Sequence, residues 1–249
     1  MDKVRIIILA AGYGKRMQSE LPKVLTPLHG KPLVSYVLES VKKSGIDNNP
    51  VVVVGQQREL VKETLGENCQ YVIQEEQLGT GHAVSAVAAQ LEGKCENLMV
   101  LYGDMPFVSP KTIRNIFDFH VSHHSNITMG TVILKDFGDW RKAFYSFGRI
   151  VRGEKGDLKK IIYGKNLTPA ELEIREVDPS FFCFKAEWLW PRLKKLKNEN
   201  SHKEYYLTDL VGFAVAEGTP PGTVEIPTKE ALGANSKADL EILESLMLK

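Results

Sequence analysis

The N-terminal half of the sequence alternates short apolar runs with segments of helical periodicity, and this alternation restricts the possible folds more than any other feature. It is typical of an α/β fold, in which a mainly parallel sheet is covered by helices on both faces. The apolar runs predict strands at Val4–Leu9, Val51–Val54, Gln70–Ile73 and Leu98–Leu101. The intervening segments predict helices at Pro32–Ser44, Arg58–Leu65, Thr80–Leu91 and Pro110–His120.

The C-terminal half follows a different pattern, in which turns separate several successive apolar runs. We interpret these runs as an antiparallel addition to the sheet. Because no linker rich in Gly, Pro or Ser separates the halves, we predict one domain over residues 1–249. The pattern predicts strands at Ile127–Leu134, Arg149–Val151, Leu158–Ile162, Glu173–Phe184 and Thr223–Ile226, and helices at Ala186–Leu196, Tyr206–Ala216 and Ser236–Leu248.

The segment Leu9–Lys23, LAAGYGKRMQSELPK, follows the first strand and combines glycines with cations. Gly12 and Gly14 allow the backbone to approach a ligand closely, because glycine has no Cβ. Lys15, Arg16 and Lys23 place positive charge beside those amides. A strand, a glycine loop and cations together predict a phosphate-binding cradle.

This loop differs from two common phosphate-binding motifs. A dinucleotide fingerprint needs a third glycine where this chain has Met17, and no G-x-x-x-x-G-K-[ST] motif begins at either glycine. Two further segments, QEEQLGTGHA (Gln74–Ala83) and YGDMPF (Tyr102–Phe107), follow other predicted strands. Ligands of parallel sheets bind at the carboxyl ends of the strands, so we expect all three segments to meet there.

Asp104 is the strongest candidate for a metal ligand. It directly follows a predicted strand and lies beside the phosphate cradle, where a carboxylate suits Mg²⁺. The alternative is a structural role in a turn or as a cap of the helix that begins at Pro110.

Four motifs occur in a characteristic order: LAAGYGKRM…LPKVL, QLGTGHA, GDMP and EYYLTD (Glu204–Asp209). In this order they resemble the sugar-1-phosphate nucleotidylyltransferases, and most closely the uridyltransferase domains of bacterial N-acetylglucosamine-1-phosphate uridyltransferases. The resemblance covers nearly the whole chain and implies the Rossmann-like, three-layer nucleotide-diphospho-sugar transferase fold. The nucleotide-binding part would span about residues 1–125, the sugar-binding part about 126–230, and a closing helix about 236–248.

The resemblance implies a Mg²⁺-dependent transfer of a nucleotidyl group from a nucleoside triphosphate, UTP above all, to a sugar-1-phosphate. The products would be a nucleotide sugar and pyrophosphate, and the sugar N-acetylglucosamine or a related one. Two alternatives stay open: a cytidylyltransferase that acts on a non-sugar phosphate, and a regulatory protein that binds a nucleotide sugar without turnover.

Site residues are carried over from the resemblance position by position. The catalytic set is Arg16, which would hold the departing phosphates, Lys23, which would stabilise the α-phosphate, and Asp104, with Asn235 as second metal ligand. Structural alternatives are a helix start at Asn235 and a helix cap at Thr80. Nucleotide-binding positions are Leu9, Ala10, Ala11, Gly12, Gly14, Gln74, Gly79, Thr80 and Gly103, and sugar-binding positions are Gly148, Tyr163, Glu176 and Asp178.

The sugar side departs from the pattern of enzymes that handle N-acetylglucosamine. Tyr163 stands in place of a Glu, Asp178 in place of an Asn, and Pro179 in place of a Thr, while Phe147 replaces a Tyr. These departures leave the nucleotide motifs intact. They predict a sugar with a different pattern of hydroxyl or amino groups.

The resemblance implies small-molecule partners, the nucleoside triphosphate and the sugar-1-phosphate. The net charge is +1, from 32 basic and 31 acidic residues, so no nucleic-acid or membrane partner is indicated. Three separated cysteines (Cys69, Cys95 and Cys183) and the lack of a secretory signal before Val4 predict reduced thiols and a cytoplasmic location. No hexapeptide repeat occurs, so no left-handed β-helix is predicted within these residues.

Two other segments carry weaker signals. His120 and His124 share a predicted helix face, but no third ligand has matching spacing, and we expect both at the solvated surface. The segment Lys135–Phe147 interleaves aromatic residues with cations, and we expect a hairpin or a lid over the sugar site.

Overall fold

A ten-stranded mixed sheet runs through the part of the chain that the computed structural model describes, residues 2–12, 21–163 and 167–248. Two short strands, β2 and β3, pair separately beside it. The strands are β1 (Asp2–Ala10), β2 (Pro27–Leu28), β3 (Lys31–Pro32), β4 (Val51–Val54), β5 (Gln70–Ile73), β6 (Cys95–Tyr102), β7 (Ile127–Ile133), β8 (Gly148–Arg152), β9 (Leu158–Ile162), β10 (Glu176–Asp178), β11 (Phe182–Lys185) and β12 (Gly222–Glu225).

The order of strands across the sheet separates the two halves of the sequence. Strands β5, β4, β1 and β6 are parallel neighbours in that order. The order continues with β11, β7, β10, β8 and β9, all joined by antiparallel pairing, while β12 adds to β7 in parallel. The predicted mixed sheet with an antiparallel addition is therefore confirmed.

Helices cover both faces of the sheet, because the side chains of each strand alternate between them. On β1, Ile6 and Ile8 join one core, whereas Ile7 and Leu9 join the other. Helices α1, α2, α5 and α9 pack on the first core, and α3, α7 and α8 on the second. The helices are α1 (Leu33–Ser44), α2 (Arg58–Leu65), α3 (Thr80–Ala86), α4 (Ala88–Leu91), α5 (Pro110–Ser122), α6 (Pro169–Leu172), α7 (Ala186–Leu193), α8 (Leu210–Ala216) and α9 (Lys237–Met247).

Two predicted elements are divided in the structure. The helix expected over Thr80–Leu91 breaks at Val87, whose amide donates to the Val84 carbonyl three residues back rather than four. The strand expected over Glu173–Phe184 is two strands, β10 and β11. Between them Pro179 has no amide hydrogen to donate, and Ser180 adopts a φ of 63°.

Of the two alternatives expected at Lys135–Phe147, the hairpin is wrong, because Asp139–Ser146 forms a 3₁₀ helix, and the lid stays a prediction. A buried arginine, Arg149 of β8, fixes this segment. Its guanidinium donates to the carbonyls of Phe144, Tyr145 and Phe147, at 3.3, 3.0 and 2.6 Å. A carbonyl cluster around one guanidinium favours consecutive turns over paired strands.

The expectation for His120 is also wrong, because this side chain is buried. Its two ring nitrogens lie 3.0 Å from Thr128 Oγ1 and 3.1 Å from Asn97 Oδ1. Burial lowers the pKa of His120 to about 4, so the ring is neutral. His124 is exposed, as expected, and Cys183 lies in the core. Among the described residues, no helix is both long and apolar enough to cross a bilayer.

Candidate active site

The carboxyl ends of β1, β5 and β6 surround a cavity of about 220 Å³. The three sequence segments expected to converge at the sheet edge do meet here. Among the residues that line the cavity are Leu9, Ala11, Gly12, Lys23, Gln74, Gly79, Thr80, Tyr102 and Asp104.

Lys23, Asp104 and Asn235 form the charged centre of the site, although they are far apart in sequence. The Lys23 ammonium lies 2.6 Å from Asp104 Oδ2 and 3.1 Å from Asn235 Oδ1. Asp104 is 5% exposed, so its carboxylate has little contact with water and depends on a cation for charge balance. A cation thus lies between the two oxygens that the resemblance assigns to a metal.

Two backbone contacts bring Asp104 and Asn235 together. The Gly103 amide donates to the Leu9 carbonyl at 2.9 Å, which fixes the loop after β6 against β1. A Cβ on Gly103 would lie 3.2 Å from that carbonyl oxygen, so the approach favours glycine. The Ala234 amide donates to the Asp104 carbonyl at 3.1 Å, which positions the C-terminal segment beside the loop.

Neither metal candidate caps a helix. Helix α5 is capped by Ser109, whose hydroxyl accepts from the Thr112 amide, and α9 is capped by Ser236 in the same way. The side-chain oxygens of Asp104 and Asn235 are therefore available to the Lys23 ammonium.

Gln74 lies almost fully buried on the other wall of the cavity. The backbone amide of Gln74 donates to the Val54 carbonyl at 2.8 Å, which holds this residue against the end of β4. Its side-chain nitrogen lies 3.1 Å from the Gly79 carbonyl oxygen and 3.1 Å from His82 Nδ1. The Gln74 side chain, which was expected to bind the nucleotide, is thus held on two sides at the wall of the cavity.

The EYYLTD segment positions the QLGTG segment. The Tyr205 amide donates to the Leu78 carbonyl at 2.7 Å, and the Gly81 amide donates to the Tyr205 carbonyl at 2.8 Å. Gly79 has a φ of 104°, and a Cβ there would lie 2.6 Å from the Tyr205 oxygen, so only glycine fits. Thr80 is not a helix cap: its hydroxyl accepts from the Leu207 amide at 2.9 Å.

Tyr163, Asp178 and Gly148 come together on the antiparallel side. Gly148 lies directly under the Tyr163 ring, which would collide with a Cβ at that position. The Tyr163 hydroxyl donates to Asp178 Oδ2 at 2.6 Å, and the Ser180 amide donates to Asp178 Oδ1 at 2.6 Å. Burial raises the pKa of Asp178, although these hydrogen bonds oppose the rise.

Glu176 is occupied by an ion pair rather than being free to face a ligand. Arg152 Nε donates to Glu176 Oε2 at 2.7 Å, and a second guanidinium nitrogen contacts the other oxygen. The same guanidinium reaches Thr223 Oγ1 of β12 at 3.0 Å. These contacts give Glu176 a structural role that the sequence does not reveal.

Tyr102 is a site residue that the sequence analysis did not select. It ends β6 and lines the cavity together with Thr80. Burial raises the pKa of Tyr102, and the carboxylates of Asp178 and Asp104 raise it further. The sequence feature that could have identified Tyr102 is its position directly before Gly103 and Asp104, at the end of a predicted buried strand.

Some of the predicted site residues do not line this cavity or lie outside the described residues. Gly14, Lys15 and Arg16 fall among residues 13–20, outside the described residues. Ala10 borders a smaller neighbouring cleft together with Gly55. Within the described ranges, no group of three or more His, Cys, Asp or Glu side chains could hold a metal ion.

The chain matches the family of the MobA-like NTP transferase domain over residues 6–205. It belongs to this family. The interpretation of the sequence as a nucleotidylyltransferase is thereby confirmed at the level of family.

The chain is 38% identical to the bifunctional protein GlmU of Brevibacillus brevis over 250 residues, a match that covers 100% of the chain and 52% of that protein. The chain is also 38% identical to GlmU of Clostridium acetobutylicum over 244 residues, a match that covers 98% of the chain and 52% of that protein. The chain therefore spans about half the length of these relatives.

Solved structures show the same fold at low sequence identity. A candidate glucose-1-phosphate thymidylyltransferase from Bacillus anthracis superposes with a TM-score of 0.79 at 16% identity, covering 98% of this chain and 94% of its own. A CMP:2-keto-3-deoxy-manno-octonic acid synthetase complexed with CTP superposes with a TM-score of 0.70 at 18% identity, and the match covers 99% of this chain and 98% of the synthetase chain. At such identities the likeness establishes the fold, which confirms the predicted α/β architecture.

Proposed function

We propose that this chain transfers a nucleotidyl group from a nucleoside triphosphate, UTP above all, to a sugar-1-phosphate and releases pyrophosphate. The observation that carries the proposal is the convergence of Lys23, Asp104 and Asn235 beside the Gln74 and Gly79 wall of one cavity. The family and the similarity to GlmU proteins support the same reaction class.

The reaction brings two polyanions together, so charge neutralisation and alignment supply most of the catalysis. Lys23 is the described cation nearest to the Asp104 carboxylate, and it would bind the α-phosphate as the acceptor oxygen attacks. Arg16 would hold the β- and γ-phosphates that leave. Because the sugar phosphate itself provides the nucleophilic oxygen, the chain needs no covalent nucleophile.

Asp104 and Asn235 fit a magnesium ion, because their side-chain oxygens already converge on one cation, the Lys23 ammonium. When bound, the metal would neutralise phosphate charge and polarise the α-phosphate. The chain's own contribution is to keep two oxygen ligands together beside the cavity and to supply the Lys23 ammonium as a cation for the phosphate.

The acceptor pocket would lie around Tyr163, Asp178 and Tyr102. Asp178 accepts hydrogen bonds when ionised but cannot donate as an asparagine amide does. The half-exposed Tyr163 ring offers an apolar face on which a sugar could stack. We therefore propose that the pocket prefers a sugar-1-phosphate with a different pattern of hydroxyl or amino groups over N-acetylglucosamine-1-phosphate.

The test is a screen for pyrophosphate release with UTP, CTP, dTTP, GTP and ATP against a panel of sugar-1-phosphates. We expect release with UTP and one sugar-1-phosphate, and loss of release in Asp104→Asn. Pyrophosphate release with no combination would refute the transferase proposal. A wide advantage for N-acetylglucosamine-1-phosphate would refute the proposed preference of the sugar pocket.

A further inference from the structure

The side-chain amide of Gln74 is fixed in one orientation by its surroundings. A carbonyl oxygen only accepts hydrogen bonds, so the amide nitrogen, not the amide oxygen, must face the Gly79 carbonyl at 3.1 Å. The same nitrogen lies 3.1 Å from His82 Nδ1. An amide nitrogen carries two hydrogens, and this geometry gives each of them an acceptor when His82 Nδ1 is unprotonated.

His82 is well placed to be that second acceptor. It lies in the first turn of α3, three residues after Gly79, so the loop that holds Gly79 also sets the position of the ring. The Tyr205 ring lies beside it, with centroids 6.5 Å apart. If Nδ1 accepts from Gln74, the ring hydrogen is on Nε2.

With both hydrogens engaged, Gln74 can offer a ligand only its oxygen. A base that presents a ring N–H, as uracil and thymine do at N3, satisfies this acceptor. Cytosine presents a lone pair at the same ring position, and two acceptors that face each other in a buried site are unfavourable. Gln74 is 3% exposed, so water cannot readily relieve such a mismatch.

We propose that His82 is a specificity-determining positioning residue, which engages the second hydrogen of the Gln74 amide and so makes the site select bases with a ring N–H over cytosine. This inference rests on the proposed function, because it assumes that the base of the nucleotide lies against Gln74. His82 acts through Gln74 and has no role in the transfer itself.

The test compares His82→Leu, which removes the acceptor, with His82→Asn, whose side-chain oxygen can replace Nδ1. Equilibrium binding of UTP, dTTP and CTP is measured without a sugar phosphate, followed by kcat/KM for each nucleotide. We expect His82→Leu to lower the preference for UTP over CTP by about 10-fold or more, since one hydrogen-bonding mismatch disappears. The preference between UTP and dTTP should not change, and His82→Asn should keep most of the parent's discrimination.

Gln74→Ala supplies the decisive comparison. If His82 acts through Gln74, adding His82→Leu to Gln74→Ala should not change the UTP/CTP ratio further. An unchanged ratio in folded His82→Leu, an additive loss in the double variant, or tighter binding of CTP than UTP by the parent would each overturn the inference. Absence of pyrophosphate release with every substrate would instead overturn the proposed function, while the binding measurements would still decide the role of His82.

Discussion

Replacement of Lys23 by methionine should destabilise the metal-free protein, because it leaves the buried Asp104 carboxylate without its cation. The two charged side chains are 17% and 7% exposed, and their charged atoms lie 2.6 Å apart. Removal of one partner from a buried pair costs about 3–5 kcal/mol. Since Lys23 retains some contact with water, we expect a lower value, about 2–3 kcal/mol.

For a chain of this size each kcal/mol lowers the Tm by about 2–4 °C, so the expected shift is about 4–12 °C. Mg²⁺ should restore part of this loss, because a cation then balances Asp104 in the absence of the ammonium. At a metal concentration of 100 times the Kd the gain is about 2.7 kcal/mol. The parent should gain less, since its own ammonium competes for the same oxygens.

Differential scanning fluorimetry with EDTA and with a Mg²⁺ series measures both effects. Lys194→Met is the matched control, because Lys194 pairs with Glu92 at 3.4 Å with both side chains largely exposed. Such a pair should contribute less than about 1 kcal/mol. Equal Tm values for the parent and Lys23→Met in EDTA, or equal Mg²⁺ shifts in both, would refute the charge balance described here.

Three further predictions concern other titratable or charged groups. Asp104→Asn should lower turnover by about 100–1,000-fold with little change in the circular dichroism spectrum, and near-normal pyrophosphate release would contradict the proposed metal site. Burial raises the pKa of Asp178 in the folded state, so its contribution to stability should fall as pH rises from the ordinary aspartate range through the raised value. The Tm of the parent relative to Asp178→Asn should therefore be highest in acid, and a pH-independent difference would count against this. His120, with a pKa of about 4 when folded, binds fewer protons than in the unfolded chain between about pH 4 and 6.5, so stability should rise with pH across that window. His120→Asn should flatten this rise, and an unaltered pH profile of the Tm would show that another group causes it.

The regular elements of the nucleotide-binding half could be read from the sequence because each has a local signal. Val51–Val54 is a continuous apolar run, and α1 ends where Gly45 adopts a φ of 69°, as its position after the last apolar turn predicts. The convergence of the loops followed from the parallel topology alone.

Long-range contacts explain what could not be predicted. Nothing local in the sequence shows that Arg152 engages Glu176, or that the guanidinium of Arg149 gathers three carbonyls. His120 was expected at the surface because its polar partners, Asn97 and Thr128, belong to strands that no local pattern places beside it. The contact of Lys23 with Asn235 likewise joins two segments that are more than 200 residues apart in the chain.

The junction between β6 and β11, where parallel pairing changes to antiparallel pairing, separates the proposed donor and acceptor halves of the site. Tyr163, Asp178 and Pro179 all lie in the antiparallel half, whereas Gln74, Gly79 and Asp104 belong to the parallel half. The nucleotide wall also depends on Tyr205 and Leu207, which hydrogen-bond to the QLGTG segment, whereas Tyr163 and Asp178 lie outside these contacts. For protein engineering, this arrangement makes β8–β10 a replaceable module: its exchange should change the acceptor sugar while the nucleotide is retained.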